Sequence, residues 1–160
     1  MTSIRILVVD DDEGIRESLS AALKTAGYLV DTAESGREAI EKLNGNYYNL
    51  AIIDIRLPDM EGTELLTVGR ATIQKTIKIM LTGYPSLQNA VEAVNRGADG
   101  YVIKPAQVED LLKMISEHLQ EQQEETRYSE KKVKDYVETR FKELEADEKQ
   151  SPTKEPDDYL

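Results

Sequence analysis

Apolar residues along this chain follow two rhythms. Short, mostly apolar runs at positions 4–9, 50–53 and 77–81 are separated by stretches in which apolar residues recur at helical spacing. The run Leu50-Ala51-Ile52-Ile53 shows no alternation and is followed by Asp54, Pro58 and Gly62, which suits a parallel strand covered on both faces. Five strands are predicted in this way, at 4–9, 28–32, 50–53, 77–81 and 100–103. Between them, Ile15, Leu19, Ala22 and Leu23 mark a helix over 13–26 that stops at Gly27. A second helix opens at Ser35-Gly36, carries Ala39, Ile40 and Leu43, and ends near Asn44-Gly45. A third follows Gly62 with Leu65 and Leu66; a fourth spans 86–96 with Leu87, Ala90, Val91 and Val94. The last begins near Gln107 and shows Val108, Leu111, Leu112, Ile115 and Leu119. Such alternation predicts an α/β, doubly wound, five-stranded parallel sheet with helices on both faces. The expected strand order is 2-1-3-4-5, the flavodoxin-like arrangement, with its switch point between the first and third strands.

After about residue 120 the pattern changes. Residues 120–132 are very polar and helix-favouring, and then Val133, Tyr136, Val137, Arg140, Phe141 and Leu144 form an apolar stripe at helical spacing. The expected organisation is a globular domain over 1–120, a C-terminal helical extension over 121–150 and a disordered tail over 151–160, where two prolines and several acids crowd together. The stripe is too short for a coiled-coil assignment. Pairing with a second chain, giving a homodimer, is favoured over folding back.

Charge narrows the function. The formal net charge of the 160 residues is −11, which argues against non-specific binding to nucleic acid or to an anionic membrane. Cysteine is absent, so neither disulfides nor thiol chemistry enter. Met1 to Arg5 lead directly into a strand, and no apolar run is long enough to span a bilayer; the expectation is a cytoplasmic protein without a leader. No basic recognition helix, zinc pattern or phosphate-binding glycine loop is present, so DNA binding is not expected. His118, the single histidine, is expected on the surface without a role.

In an open α/β sheet, chemistry gathers at the carboxyl ends of the strands. There the order of residues is an acid run Asp10-Asp11-Asp12, then Asp54, Thr82 and Lys104. Each has an ordinary explanation: a turn-capping Asp, solvated loop carboxylates, a turn Thr, a surface Lys. All of them falling at strand ends in this order is harder to explain by accident. Asp10, Asp11 and Asp54 converge at the switch point and would hold a hard divalent cation; magnesium suits one or two carboxylates completed by water and phosphate oxygens. Asp11 and Asp54 are expected as direct ligands and Asp10 through water, while Asp12 faces the start of the first helix. Lys104 would be their counter-ion and a point charge for a phosphoryl group, and Thr82 a hydroxyl donor to it.

Val8-Val9-Asp10-Asp11, Asp54 with Pro58 and Gly62, Thr82-Gly83, and Tyr101-Val102-Ile103-Lys104-Pro105 together resemble the receiver domain of two-component response regulators, over roughly residues 3–120. The resemblance implies that Asp54 is phosphorylated by a histidine kinase. It also implies a magnesium site from Asp10, Asp11, Asp54 and the main-chain carbonyl of Arg56, and a cis peptide between Lys104 and Pro105, which an X-Pro step permits. Thr82 and Tyr101 would then form the switch, with Tyr101 filling space vacated when the Thr82 loop moves inward. The face that changes would be the one made by helix 86–96, strand 100–103 and the last helix. In the family the positions of Arg56 and Tyr84 modulate hydrolysis, and bulky Tyr84 is expected to shield an acyl phosphate. Signalling would proceed by contact with a downstream protein, or by passing the phosphoryl group to a phosphotransfer protein, with no catalysis beyond modification of Asp54 itself and its reversal.

Two other classes compete. An aspartyl-nucleophile phosphohydrolase resembles Asp-x-Asp at the nucleophile, but Asp54-Ile55-Arg56 has Arg at the second position. A helical assembly module with a vestigial receiver is opposed by the intact set of Asp10, Asp11, Asp54, Thr82 and Lys104.

Overall fold

The computed structural model describes residues 3–67 and 75–150. The chain divides into two compact units, Met1–Leu119 and Gln120–Leu160. The first unit holds five parallel strands, β1 (Arg5–Val9), β2 (Leu29–Ala33), β3 (Leu50–Ile53), β4 (Ile77–Thr82) and β5 (Gly100–Ile103), in the order β2-β1-β3-β4-β5. This is the predicted topology, with β2 shifted by one residue because its edge position leaves a weak apolar pattern.

Parallel strands buried on both faces feed two cores with alternate residues. Leu7, Val9, Ala51, Ile53 and Met80 pack with Ala39 and Leu43 of α2 (Gly36–Gly45), with Leu65 and Leu66, and with Ala93 of α3 (Leu87–Asn95). Ile6, Val8, Leu50, Ile52, Ile79 and Leu81 pack with Leu19 and Leu23 of α1 (Glu13–Thr25) and with Leu111, Ile115 and Leu119 of α4 (Val108–Gln150). Each fully buried aliphatic side chain contributes about 2 kcal/mol from water exclusion.

Local signals set the helix ends. Asp12, Ser35 and Ser86 accept from the backbone N–H three residues on, at the starts of α1, α2 and α3. Gly27 and Gly97 take φ of 97° and 98°, the left-handed closure that only glycine adopts without strain. Gly62–Leu66 forms a 3-10 turn rather than the start of a regular α-helix; residues 68–74, where the predicted third helix would continue, lie outside the described residues. His118 is half-buried rather than on the surface, because it lies three and seven residues after the buried Ile115 and Leu111, on the same face of the helix.

In the second unit, Tyr128, Val133, Tyr136, Val137, Phe141 and Leu144 are exposed along the helix, with ion pairs Lys134–Glu138 and Arg140–Glu143 among them. The expected tail, 151–160, lies outside the described residues. Among the described residues no helix is long and apolar enough to cross a membrane.

Candidate functional site

The site lies where β1 and β3 run side by side, with Val9 opposite Ile53. One residue beyond each strand is an aspartate: Asp10 N–H donates to Ala33 O at 3.1 Å and Asp54 N–H to Val9 O at 2.9 Å, so the sheet ladder itself fixes both backbones. Asp10 is 2% exposed and Asp54 6%. With the exposed Asp11 they place ligand oxygens within 4.8 Å of one another, close enough to share one metal ion.

Lys104 enters from the end of β5. Its Nζ donates to Asp10 Oδ2 at 2.7 Å and to Asp54 Oδ2 at 3.2 Å. Asp10 Oδ1 meanwhile accepts the Asp12 N–H at 2.9 Å. Both Asp10 oxygens are therefore engaged by the protein. Among the described residues, Asp54 Oδ1 receives only the long Arg56 N–H contact, 3.3 Å. Its carboxyl is pushed above the ordinary range by burial and by the charge of Asp10, which together outweigh Lys104 and the Arg56 amide. Burial pulls Lys104 down, yet the hydrogen bonds and charges of Asp10 and Asp54 win and its pKa is raised. One ammonium shared by two buried carboxylates leaves a net negative, under-neutralised dent, suited to a second cation.

Thr82 closes β4 with no exposed surface, and its Oγ1 accepts the Tyr84 N–H at 3.0 Å. Its carbonyl accepts the Lys104 N–H at 2.8 Å, so the lysine and threonine backbones are tied together. Lys104-Pro105 is cis. Tyr101 on β5 is half-buried and donates its hydroxyl to Asn89 Oδ1 at 2.7 Å. The Arg56 guanidinium stacks 4.2 Å from the centre of the Tyr84 ring.

The loop after Asp54 is held from two sides. Asp59 accepts the Gly36 and Arg37 N–H groups at 2.8 and 2.9 Å, fastening the loop to the start of α2. Gly62 passes so close that a Cβ there would lie 1.9 Å from the Asp54 carbonyl oxygen, so only glycine fits.

The structure brings the sequence-predicted Asp10, Asp11 and Asp54 together, with Lys104 on Asp10 and Asp54. Sequence reasoning missed Arg16, whose Nη1 donates to the Asp10 carbonyl at 2.8 Å, and Asn89, which ties Tyr101 to helix α3. Nothing in the pattern marks Arg16. The Ser86-x-x-Asn89 spacing at a helix start was the available signal for Asn89.

A family model for the response regulator receiver domain matches residues 6–116. Regulatory protein AtoC of Escherichia coli (strain K12) is 37% identical over 121 residues, 75% of this chain and 26% of that protein. A crystal structure of a CheY-like response regulator receiver domain protein from Methanospirillum hungatei JF-1 superposes with a TM-score of 0.73 at 45% identity, covering 78% of this chain and 99% of that one. A response regulator protein from Burkholderia pseudomallei, whose crystal structure holds a phosphorylated aspartic acid, calcium ion and citrate, gives a TM-score of 0.67 at 31% identity, over 78% of this chain and 73% of that one. Curated relatives extend well beyond the match: the aligned part is 26% of AtoC and 51% of regulatory protein VanRB of Enterococcus faecalis. Residues 6–116 thus place the chain in the response regulator receiver family, to which it belongs.

Proposed function

We propose that Asp54 is the phosphoacceptor of this receiver and takes its phosphoryl group from the phosphohistidine of a histidine kinase. The observation that carries this is the Lys104 ammonium bridging two nearly buried carboxylates, Asp10 and Asp54, with Asp11 beside them. The phosphorylated aspartic acid in the Burkholderia pseudomallei relative is in keeping with it.

The donor set, three carboxylates with hard oxygens, fits Mg²⁺. Asp11 and Asp54 would hold the ion directly, the main-chain carbonyl of Arg56 would complete the protein ligands, and Asp10 would act through water. When bound, the ion supplies positive charge opposite the entering phosphoryl oxygens. The remaining work belongs to side chains. An Asp54 carboxylate oxygen attacks phosphorus in line; the P–O bond forms as the P–N bond to the kinase imidazole breaks, and the imidazole keeps the electron pair and takes a proton. Such a transfer needs positioning and neutralisation more than covalent help. The sheet ladder supplies the first. Lys104 supplies the second, as its ammonium turns from the carboxylate to the phosphoryl oxygens.

Thr82 then donates its hydroxyl to a phosphoryl oxygen and draws the 83–86 loop inward, and Tyr101 moves with it. This is a charge event at one site biasing a two-state element. The receiver, over 1–120 with its helical extension over 121–150, passes the signal on through protein contact or phosphotransfer. The test is transfer from a phosphorylated histidine kinase in the presence of Mg²⁺. Unsubstituted protein becomes labelled and Asp54→Ala does not; labelling of Asp54→Ala at the unsubstituted rate would overturn the assignment.

A further inference from the structure

Between Thr82 and Tyr101 runs an unbroken chain of hydrogen bonds, and one residue carries its middle. Thr82 Oγ1 accepts the Tyr84 N–H at 3.0 Å. The Tyr84 carbonyl accepts Asn89 Nδ2 at 3.0 Å. Asn89 Oδ1 accepts the Tyr101 hydroxyl at 2.7 Å and the Ser86 N–H at 3.1 Å. The two lone pairs of that oxygen are thus filled, one by the helix start and one by the tyrosine. Asn89 is also fixed from behind: its own N–H donates to Ser86 Oγ at 3.1 Å, the second half of the capping box that opens α3.

We propose that Asn89 is the positioning residue that transmits displacement of the Thr82–Tyr84 segment to Tyr101 and to the first turn of α3. In taking phosphorylation as the cause of that displacement, this rests on the function proposed above. The side-chain amide does two opposite jobs: the nitrogen holds the loop carbonyl, the oxygen holds the tyrosine. When Thr82 turns to a phosphoryl oxygen and draws the Tyr84 backbone with it, the carbonyl pulls on or leaves Nδ2. The amide cannot follow without weakening its hold on Tyr101, because the capping box ties its backbone. Because both bonds hang on one planar amide, moving one bears directly on the other.

An isosteric change separates the two jobs. Asp at 89 keeps both acceptor contacts, to the Tyr101 hydroxyl and the Ser86 N–H, and keeps the cap. It removes the donor to the Tyr84 carbonyl and sets a carboxylate oxygen against it. Asn89→Asp therefore leaves fold and helix start in place while cutting the link.

The readout is the fluorine resonance of Tyr101 in protein grown with fluorotyrosine. The chain has 8 tyrosines, so Tyr101→Phe assigns the signal. Two perturbations of the loop are applied: beryllofluoride with Mg²⁺, and the substitution Thr82→Ala. In the unsubstituted background both shift the Tyr101 resonance; in Asn89→Asp both shifts are lost, with an unchanged beryllofluoride midpoint followed on the ligand's own fluorine signal. A Tyr101 shift of unsubstituted size surviving in Asn89→Asp, from either perturbation, overturns the proposal. No beryllofluoride binding to the unsubstituted protein, with a Thr82→Ala shift that Asn89→Asp abolishes, supports the role of Asn89 and overturns the phosphoacceptor reading instead.

Discussion

On β2, Asp31 Oδ2 takes a hydrogen bond from Arg5 at 2.8 Å and another from the Tyr48 hydroxyl at 2.6 Å. Just past β3, Asp54 Oδ2 takes one from Lys104 at 3.2 Å. Both are strand carboxylates beside a cation, yet their acidities move in opposite directions. Asp31 is held below the ordinary range, first by the Tyr48 hydrogen bond, with Arg5 adding to it against burial. Asp54 is pushed above it, by burial and by Asp10. The Asp31 side chain is 38% exposed, and that of Asp54 7%. Asp31 also has two donors on one oxygen, whereas Asp54 shares its single ammonium with a second buried carboxylate. The first arrangement is complete as it stands and serves the edge of the sheet. The second is short of positive charge, a shortfall that a bound cation can fill. In the sequence both are aspartates at apolar strand runs; the sharing of Lys104 tells them apart in space.

The contrast can be broken from the site side first. Asp54→Asn is expected to abolish phosphoryl uptake in a phosphate-affinity gel assay while making the fold more stable. Because the folded pKa of Asp54 is raised, the folded state holds this proton more firmly than the unfolded chain. Stability therefore falls as pH rises through that window, and the ionised group destabilises near neutrality. Removing it should raise the unfolding free energy in urea by on the order of 1 kcal/mol.

Gly62→Ala comes next. Its Cβ would sit 1.9 Å from the Asp54 carbonyl oxygen, so the backbone under Asp54 must move. A loss of about 3 kcal/mol is expected in urea unfolding, together with slower phosphoryl uptake.

Mg²⁺ should sharpen the difference between the two carboxylates. At ten times its dissociation constant, a ligand that binds only the folded protein stabilises it by about 1.4 kcal/mol. That gain is expected in thermal unfolding of unsubstituted protein and of Asp31→Asn, and should largely disappear in Asp11→Asn.

The smallest effect comes from the complete pair. Asp31→Asn exchanges charged for neutral hydrogen bonds at a partly exposed position and should cost about 1 kcal/mol, with phosphoryl uptake unchanged. The folded pKa of Asp31 is depressed, so its contribution is present above the ordinary carboxylate value and is lost as pH falls through the folded one. The stability gap between Asp31→Asn and unsubstituted protein should therefore close on acidification.

How much of this was legible in the sequence follows from the physics of each feature. Runs such as Leu50–Ile53 read cleanly because a strand buried on both faces leaves no alternation to confuse it. The acids at strand ends were legible because a parallel sheet delivers consecutive C-terminal ends to one edge. The turn after Gly62 was less so: periodicity suggested a helix, while the close approach of Gly62 to Asp54 shapes the chain there. Arg16 acts through a contact across elements, on Asp10, which leaves no mark on local spacing; the capping spacing marks Asn89 as a helix-start residue but not its bond to Tyr101. His118 followed the buried face of α4 more than its polar neighbours implied.

The central claim, that the under-neutralised carboxylate beside Lys104 is the group that becomes phosphorylated, has a direct chemical test. Protein incubated with Mg²⁺ and acetyl phosphate is reduced with borohydride, which converts an aspartyl phosphate to homoserine, and its peptides are sequenced by mass spectrometry. Homoserine at position 54 alone is the predicted result; homoserine at position 10, 11 or 31 with Asp54 intact would contradict it.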